Sequence, residues 1–323
     1  MSLRKLLIGL ICLFLFAQRG PTLTPAEIEA GTQAATKLRA MIEAAPKLPL
    51  EQTDLAVKLP QGQELGMVSW LARDPKTGVT WLIQRGDKAD PVIAVDKEGR
   101  ILHSFGKGLF TIPHAIRLDL EGNVWTVDAA SSTVIKFSPQ GEKLLQIDAG
   151  GQQAEGRAFR GTTDITFAPK GRIFISDGYS NARILEYTAD GKKVHEWGST
   201  GPGQFHLPHS IVVDENNILY VADRENGRIE KFDLEGKFLG EIPNLGRIYS
   251  LKLGANGTLW AGMQQLNEPT GSPGWVVKLD RKTGKVLGYV PVTEKAGLHS
   301  VEDAGQDQPM TDIGNKVVWF KSH

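Results

Sequence analysis

Three histidines recur along this 323-residue chain at similar places in a repeated phrase. His114 and His209 each follow a proline, and His299 stands in the phrase Gly-Leu-His-Ser. They are separated by 95 residues (114 to 209) and by 90 residues (209 to 299). Three imidazoles that meet at one point are typical ligands of a catalytic zinc ion with an open coordination position. A single proline–histidine pair is more often a turn, but three histidines at a regular interval predict a site for zinc or another divalent metal.

A second set of matching positions carries Tyr179, Arg224 and Arg85, each just after a strand-like segment. If these segments run antiparallel to the strands that begin at the histidines, their ends lie on the same rim. Two guanidiniums there could bind a carboxylate with paired hydrogen bonds. The Tyr179 phenol, with its pKa lowered by nearby positive charge, could act as a general base. The alternative interpretation is that these are plain surface residues.

The repeated phrase also predicts the architecture that positions these residues. Repeats of roughly 40–50 residues, each with several short strands, are typical of a β-propeller. Alternating apolar and polar residues, divided by glycine-containing turns, predict four antiparallel strands in each unit. We expect six blades, at 63–106, 107–150, 155–199, 201–243, 245–293 and 297–321. The predicted fold class is therefore all-β, a six-bladed β-propeller.

The last predicted blade holds only three strands. The extended segment Asp54–Leu59 could supply the fourth strand, which would join the two ends of the chain and leave no open sheet edge. In such a ring the histidines belong to blades two, four and six, about 120° apart around the axis. The segment Gln264–Gly274 contains two prolines and two glycines and is predicted to be an insertion in blade five.

Residues 1–20 differ in composition from the rest of the chain. Arg4 and Lys5 precede an apolar run over 6–17, a pattern typical of a secretory signal peptide. The run is shorter than the about 20 residues that a membrane span needs. We therefore predict export to the periplasm or the extracellular space, with an uncleaved N-terminal membrane anchor as the alternative. The one cysteine, Cys12, lies in this run, so the remainder of the sequence has no disulfide.

Two further segments complete the predicted domain organisation. Residues 21–50 are expected to form a helical extension, with a helix over 24–45. Thr24 and Glu27 are predicted to form a capping box around Pro25. The propeller is expected to span 54–321.

Charge excludes some functional classes. The chain has 37 basic and 37 acidic residues, so it lacks the basic excess of a nucleic-acid-binding protein. It also shows no polybasic patch for membranes.

The repeats resemble NHL repeats, and two phrases are more specific than that. Gly-Pro-Gly-Gln-Phe-His-Leu-Pro-His-Ser-Ile at 201–211 is similar to the peptidyl-α-hydroxyglycine α-amidating lyases, the second half of the animal peptide-amidating enzyme. Phe-Ile-Ser-Asp-Gly-Tyr-Ser-Asn-Ala-Arg-Ile at 174–184 resembles the same family. The resemblance covers about 80–235 well and is faint beyond 245.

The resemblance implies a zinc ion held by the three histidines and a reaction that cleaves an N–C bond in a carbinolamide, yielding a primary amide and glyoxylate. It implies Tyr179 as the base, with Arg85 and Arg224 holding the substrate carboxylate. Three positions depart from the family, whose methionine, aspartate and cysteine are replaced by Gly297, Ser300 and Ser180. The aspartate is tied to a structural calcium, so calcium is doubtful here.

Two other functions stay open on the sequence. The first is a non-catalytic NHL propeller that binds a peptide, glycan or protein on its rim, because propellers serve as binding platforms as readily as enzymes. The second is another metal-dependent hydrolase, such as a lactonase. Those propellers generally place acidic and amide ligands at the axis, where this sequence has histidine.

Overall fold

The computed structural model describes residues 25–152, 158–199, 201, 203–295 and 297–322. The predicted signal segment 1–20, which includes Cys12, lies outside the described residues, and so does Thr24 of the predicted capping box. The described part of the chain starts with a helix and continues as strands.

The helix, α1, spans Pro25–Glu43, within the predicted 24–45. Leu38 and Ile42 lie one turn apart on it and are buried in one hydrophobic cluster with Met263 and Trp275 of the fifth blade. The Arg39 guanidinium lies 5.3 Å from the centre of the Trp275 ring. One apolar stripe thus packs α1 against the outside of the propeller.

The strands form six four-stranded antiparallel sheets, as a six-bladed propeller requires. Before the first blade comes β1, Glu51–Leu55. Blade one contains β2 Val68–Arg73, β3 Thr80–Gln84, β4 Val92–Val95 and β5 Ile101–Phe105. Blade two contains β6 Pro113–Leu118, β7 Val124–Asp128, β8 Thr133–Phe137 and β9 Lys143–Asp148. Blade three contains β10 Asp164–Ala168, β11 Arg172–Asp177, β12 Arg183–Tyr187 and β13 Lys193–Trp197.

The remaining blades follow the same order. Blade four contains β14 Pro208–Val213, β15 Leu219–Asp223, β16 Arg228–Phe232 and β17 Phe238–Ile242. Blade five contains β18 Arg247–Leu253, β19 Thr258–Gln264, β20 Gly274–Asp280 and β21 Val286–Val292. Blade six contains β22 Gly297–Asp303, β23 Pro309–Ile313 and β24 Lys316–Lys321. Two short 3₁₀ turns, Pro169–Gly171 and Arg224–Asn226, lie between strands.

Burial falls from the axis to the outside of each blade. The second strands β3, β7 and β15 are buried at every residue, whereas the outermost β9 and β13 are mostly exposed. Inner strands are therefore rich in valine and isoleucine on both faces, since both faces are covered by neighbouring blades. The core is thus a ring of hydrophobic clusters between blades.

The ring closes through the chain ends, with the order β1–β24–β23–β22 in blade six. The closing strand is Glu51–Leu55, so the predicted Asp54–Leu59 was placed too far along the chain. Val57 and Leu59 pack on the same hydrophobic cluster as Leu55 although they lie beyond the strand. Val57 and Leu59 are therefore apolar because their side chains pack on this cluster, and not because they belong to a strand. At Lys58 the backbone instead bridges to Arg100 of blade one.

In the described part of the chain, none of the helical segments combines the length and hydropathy needed to cross a bilayer.

Candidate active site

A β-bulge marks the start of the innermost strand in blades one, two, four, five and six. At each bulge the register shifts, and the extra residue is released from pairing with the neighbouring strand. The residues released in this way are Ser69, His114, His209 and Tyr249, with 298–300 in blade six. In blade three, Thr163 directly precedes β10. These positions form a ring at the axis, which we call the axial ring.

The three histidines of the axial ring come together. Their ring centroids are 4.9 Å apart for His114 and His209, 4.6 Å for His114 and His299, and 4.9 Å for His209 and His299. One candidate ligand atom of each lies within 4.8 Å of the other two. His114 and His209 are fully buried and His299 is 9% exposed. Residues far apart in the sequence thus converge on one point.

The orientation of each imidazole is set by the next blade. Nδ1 of His114 lies 2.6 Å from the Thr163 carbonyl oxygen, and Nδ1 of His209 lies 2.6 Å from that of Tyr249. Nδ1 of His299 lies 2.7 Å from the Ser69 carbonyl oxygen. A carbonyl oxygen only accepts hydrogen bonds, so each Nδ1 carries the proton and each Nε2 keeps its lone pair.

The charge state of the histidines also fits a metal centre. Burial, followed by the neighbouring His299 and His209, holds the pKa of His114 well below its usual 6.5. Burial and then Arg224 lower the pKa of His209, and burial and then Arg85 lower that of His299. All three are therefore neutral near pH 7. Neutral imidazoles oriented by Nδ1–H hydrogen bonds to carbonyls are the donor set that divalent zinc prefers.

Tyr179 lies two residues beyond the end of β11, and its hydroxyl reaches the centre of the site. That oxygen is 2.8 Å from Nε2 of His114 and 3.1 Å from Nε2 of His209. The hydroxyl has one proton, so it donates to one of these nitrogens at a time. The predicted base thus lies at the convergence point of the histidines.

The direction of the Tyr179 pKa corrects one expectation. Burial raises this pKa above its usual value of 10, and this outweighs the lowering by Arg224 and Arg85. The sequence pointed to a lowered pKa because it showed the neighbouring charges but not the loss of solvent. The protein on its own therefore keeps the phenol protonated near pH 7.

Arg85 follows β3 directly and lies beside the same centre. Its Nε donates to the Pro113 carbonyl oxygen at 3.0 Å, and its Nη2 donates to the Ser69 hydroxyl at 2.8 Å. Its guanidinium carbon is 5.2 Å from the centre of the Phe159 ring. Structural contacts thus hold this guanidinium in place, which leaves fewer of its donors for a substrate.

Arg224 begins the 3₁₀ turn after β15 and carries an acidic partner. Its Nε donates to Glu225 at 2.8 Å, and its guanidinium carbon lies 6.0 Å from the Tyr179 ring centre. Glu225 in turn accepts from Nε of Arg247 at 3.0 Å. The terminal nitrogens of Arg247 donate to the carbonyl oxygens of Glu268 and Leu266 in the blade-five insertion. Hydrogen bonds and ion pairs through Arg247 and Glu225 therefore connect the insertion to Arg224.

Several residues of the site were not predicted. Trp70 is fully buried, with its ring 5.5–6.2 Å from the three histidine rings. Phe159, Glu225 and Arg247 were missed as well, although Phe159 lies near the start of predicted blade three and Glu225 adjoins Arg224. Trp70 follows the axial position of blade one directly, which is the signal that could have identified it.

Comparisons with known proteins agree with this architecture. A family described as a 6-bladed beta-propeller matches residues 159–318. The chain is 39% identical over 166 residues to peptidyl-glycine alpha-amidating monooxygenase of Mus musculus, which covers 47% of this chain and 17% of that protein. It is 36% identical over 148 residues to peptidyl-alpha-hydroxyglycine alpha-amidating lyase 1 of Drosophila melanogaster, covering 42% of this chain and 27% of that protein. The chain thus spans less than a third of the length of each of these two relatives.

Among solved structures, a streptogramin B lyase matches with a TM-score of 0.60 and 15% sequence identity. The match covers 85% of this chain and 98% of that one, and at this identity it concerns the fold alone. The chain is a six-bladed β-propeller that resembles the peptidyl-α-hydroxyglycine α-amidating lyases and NHL repeat-containing protein 3 of Mus musculus.

Proposed function

We propose that this protein is a zinc-dependent lyase that cleaves the N–C bond of an α-hydroxyglycine-like carbinolamide to an amide and glyoxylate. The observation that carries the proposal is the position of the Tyr179 hydroxyl, in contact with Nε2 of both His114 and His209. Arg85 and Arg224 lie beside it, and relatives named as amidating lyases support the reaction type. The substrate is a small molecule or a peptide that ends in a carboxylate.

The proposed metal centre consists of His114, His209 and His299. A divalent ion bound there supplies a Lewis acid and a positive charge that opposes the burial-raised pKa of the Tyr179 phenol. The chain's own residues orient the imidazoles, keep them neutral and exclude bulk water from the centre.

The proposed roles of the other residues follow from the bond changes. The substrate has the form R–CO–NH–CH(OH)–COO⁻, and its hydroxyl proton passes to the Tyr179 oxygen, which acts as the base in the phenolate form that a bound divalent ion would favour. The O–H electron pair forms the carbonyl of glyoxylate as the C–N bond breaks, and the amide nitrogen takes up the proton that Tyr179 accepted from the hydroxyl. Arg224 and Arg85 hold the substrate carboxylate next to Tyr179. Their positive charges stabilise the negative charge that develops in the transition state. No oxidant is needed.

The proposed location is outside the cytoplasm. It rests on the basic residues Arg4 and Lys5 and the apolar run after them, which precede the described part of the chain. Fractionation of cells that express the full chain tests this: export places the protein in the periplasm or medium, and anchoring places it in the membrane fraction.

A metal analysis paired with an activity assay tests the proposed reaction. Purified protein should contain about one zinc per chain, as a three-histidine site predicts. It should release glyoxylate from α-hydroxyhippurate, the N-benzoyl derivative of α-hydroxyglycine. Tyr179→Phe should keep the metal and lose about 10²–10⁴-fold in kcat, the usual range for a missing general base. His209→Ala should lose both metal and activity.

Two results would contradict this assignment. Unchanged glyoxylate release in both variants would remove the assigned roles of Tyr179 and His209. A metal-free preparation that stays folded and binds a peptide or glycan, without glyoxylate release, would favour the non-catalytic binding scaffold. Tyr187→Phe, a buried tyrosine in β12, serves as the matched control for loss of a phenolic hydroxyl.

A further inference from the structure

Tyr249 is the axial-ring residue of blade five and has the same origin as the histidines. The register of β18 against β19 shifts between Ile248 and Ser250, which releases Tyr249 from pairing. Its backbone carbonyl oxygen accepts the Nδ1–H of His209 at 2.6 Å. The side chain is 5% exposed. The fold thus places a second phenol in the ring that surrounds the candidate metal centre.

The Tyr249 ring lies among the charged and metal-binding side chains. Its centre is 5.6 Å from that of the His209 ring and 5.9 Å from that of the His299 ring. The Arg224 guanidinium carbon lies 5.1 Å from the Tyr249 ring centre, closer than the 6.0 Å to Tyr179. Tyr249 is therefore the aromatic neighbour of the guanidinium assigned to the substrate carboxylate.

The hydroxyl groups of the axial ring differ in their partners. The Ser69 hydroxyl donates to the His114 carbonyl oxygen at 2.7 Å, and that of Thr163 is 2.9 Å from the Pro208 carbonyl oxygen. The Tyr249 hydroxyl is buried and has no hydrogen-bond partner among the described residues. A buried hydroxyl without a partner destabilises the fold, so its retention calls for another reason. A ligand that enters the site would supply the missing acceptor.

The charge around Arg224 favours an anion as that ligand. Arg224 gives its Nε to Glu225 and also interacts with the Tyr179 hydroxyl, so its terminal nitrogens lie beside the base, where they can meet a carboxylate. Glu225 is itself held by Arg247, and Arg85 lies on the other side of the centre. Arg224 and Arg247 share the single carboxylate of Glu225, so this side of the site keeps a positive excess. The carboxyl groups of Asp312 and Asp128 act instead on Arg85.

We propose that Tyr249 contacts the substrate, its hydroxyl donating a hydrogen bond to the carboxylate that Arg224 binds, and that this contact selects substrates with a terminal carboxylate. This inference rests on the proposed function for the identity of the substrate. The tyrosine acts in binding and not in proton transfer. Tyr179 accepts the proton, and Tyr249 helps to hold the anionic end of the molecule.

Calorimetric titration with hippurate and its amide, N-benzoylglycinamide, tests the proposal without requiring turnover. The two ligands differ only at the carboxylate, and neither has the hydroxyl needed for cleavage. Tyr249→Phe keeps the ring and the carbonyl that orients His209. It should weaken hippurate binding about tenfold, as expected for one lost hydrogen bond to a charged group, and leave the amide unaffected. With α-hydroxyhippurate, KM should rise about tenfold while kcat stays near the wild-type value.

A control variant and a stability measurement show whether the Tyr249 hydroxyl contacts the ligand or only supports the fold. Tyr289→Phe alters a tyrosine in β21, away from the axis of the same blade, and should bind hippurate like the wild type. Tyr249→Phe removes a buried hydroxyl that has no partner, so its melting temperature should not fall. A marked fall would show that the hydroxyl has a structural partner and would overturn the proposal.

Other outcomes distinguish this inference from the proposed function. Hippurate binding that is equal in wild type and Tyr249→Phe, or absent in wild type, overturns the role of Tyr249 even if glyoxylate is released. Equal weakening for hippurate and the amide overturns carboxylate selection. Selective weakening for hippurate in a protein that releases no glyoxylate supports carboxylate recognition by Tyr249 and contradicts the lyase reaction.

Discussion

Asp312 is a fully buried carboxyl group on β23, the strand next to the one that carries His299. Its Oδ1 accepts from the Ser300 amide at 2.6 Å and from the Ser300 hydroxyl at 2.8 Å. Its Oδ2 has no partner among the described residues. Burial raises the pKa of Asp312 to about 7, in spite of the bonds from Ser300. One residue thus links the stability of blade six to pH.

We predict that Asp312→Asn removes this link. The carboxyl titrates near 3.8 when unfolded and about 7 when folded, so between these values the folded state holds more protons. Stability therefore falls as pH rises through this window. As the pH rises from 5 to 8, the stability of the variant relative to the wild type should increase by about 2–3 kcal/mol. Urea unfolding of chelator-treated protein at both pH values measures this.

The exposed Asp87, changed to Asn, serves as the control for removal of a surface carboxyl group. If the stability difference between Asp312→Asn and the wild type does not change between pH 5 and pH 8, the carboxyl of Asp312 does not titrate with a raised pKa, and the prediction is wrong.

The innermost strands are joined beneath the histidines by a buried polar layer. Arg117 of β6 donates from Nε to Asp164 of β10 at 2.9 Å, and its Nη2 also lies 3.2 Å from the Leu251 carbonyl oxygen of β18. The Ser210 hydroxyl of β14 donates to Asp164 at 2.8 Å. The Arg117 guanidinium lies 5.1 Å from the Trp70 ring centre on β2. Strands of five blades therefore meet in one network, and it supports the floor of the site.

Asp164→Asn should destabilise the protein by about 3–5 kcal/mol, because it leaves the buried Arg117 without a charged partner. Replacing both residues, as Arg117→Met with Asp164→Leu, should cost less than the single change, since no buried charge remains. Urea unfolding measures whether the single variant or the double variant loses more stability. A double variant that is less stable than Asp164→Asn would mean that the pair contributes net stability.

Closure of the whole ring depends on a strand from outside the repeats. In blade six β1 pairs antiparallel with β24, from Glu51 opposite Lys321 to Leu55 opposite Val317. Without β1 the edge of β24 would be unpaired, and such an edge invites association with other chains. Ring stability is therefore a property of residues that are distant in sequence.

Two truncations test the role of β1. A chain that starts at Lys47 keeps β1 and lacks α1, and a chain that starts at Ala56 lacks both. The second should be less stable than the first by about 3 kcal/mol, from the few backbone hydrogen bonds lost. It should also elute as larger species in size-exclusion chromatography. Equal stability and a monomeric elution for both chains would show that β24 does not need its partner.

The local signals in this sequence were sufficient for the repeating unit. Strand alternation, turn glycines and a phrase that returns in each repeat predicted six blades, and the structure confirms a six-bladed propeller. The closing strand was misplaced by a few residues because Val57 and Leu59 are apolar for packing and not for pairing. Such a distinction depends on a partner strand more than 250 residues away, which the local pattern cannot contain.

The spacing of His114, His209 and His299 was by itself enough to predict that they would face one another, since a repeat carries equivalent residues to equivalent places. Only the tertiary structure decided how they are used. The carbonyl partners of Nδ1, the raised pKa of Tyr179 and the unpartnered hydroxyl of Tyr249 depend on burial and on contacts between blades. Desolvation and hydrogen bonding act through space, so they are determined when the ring closes and not by the order of residues within any one repeat.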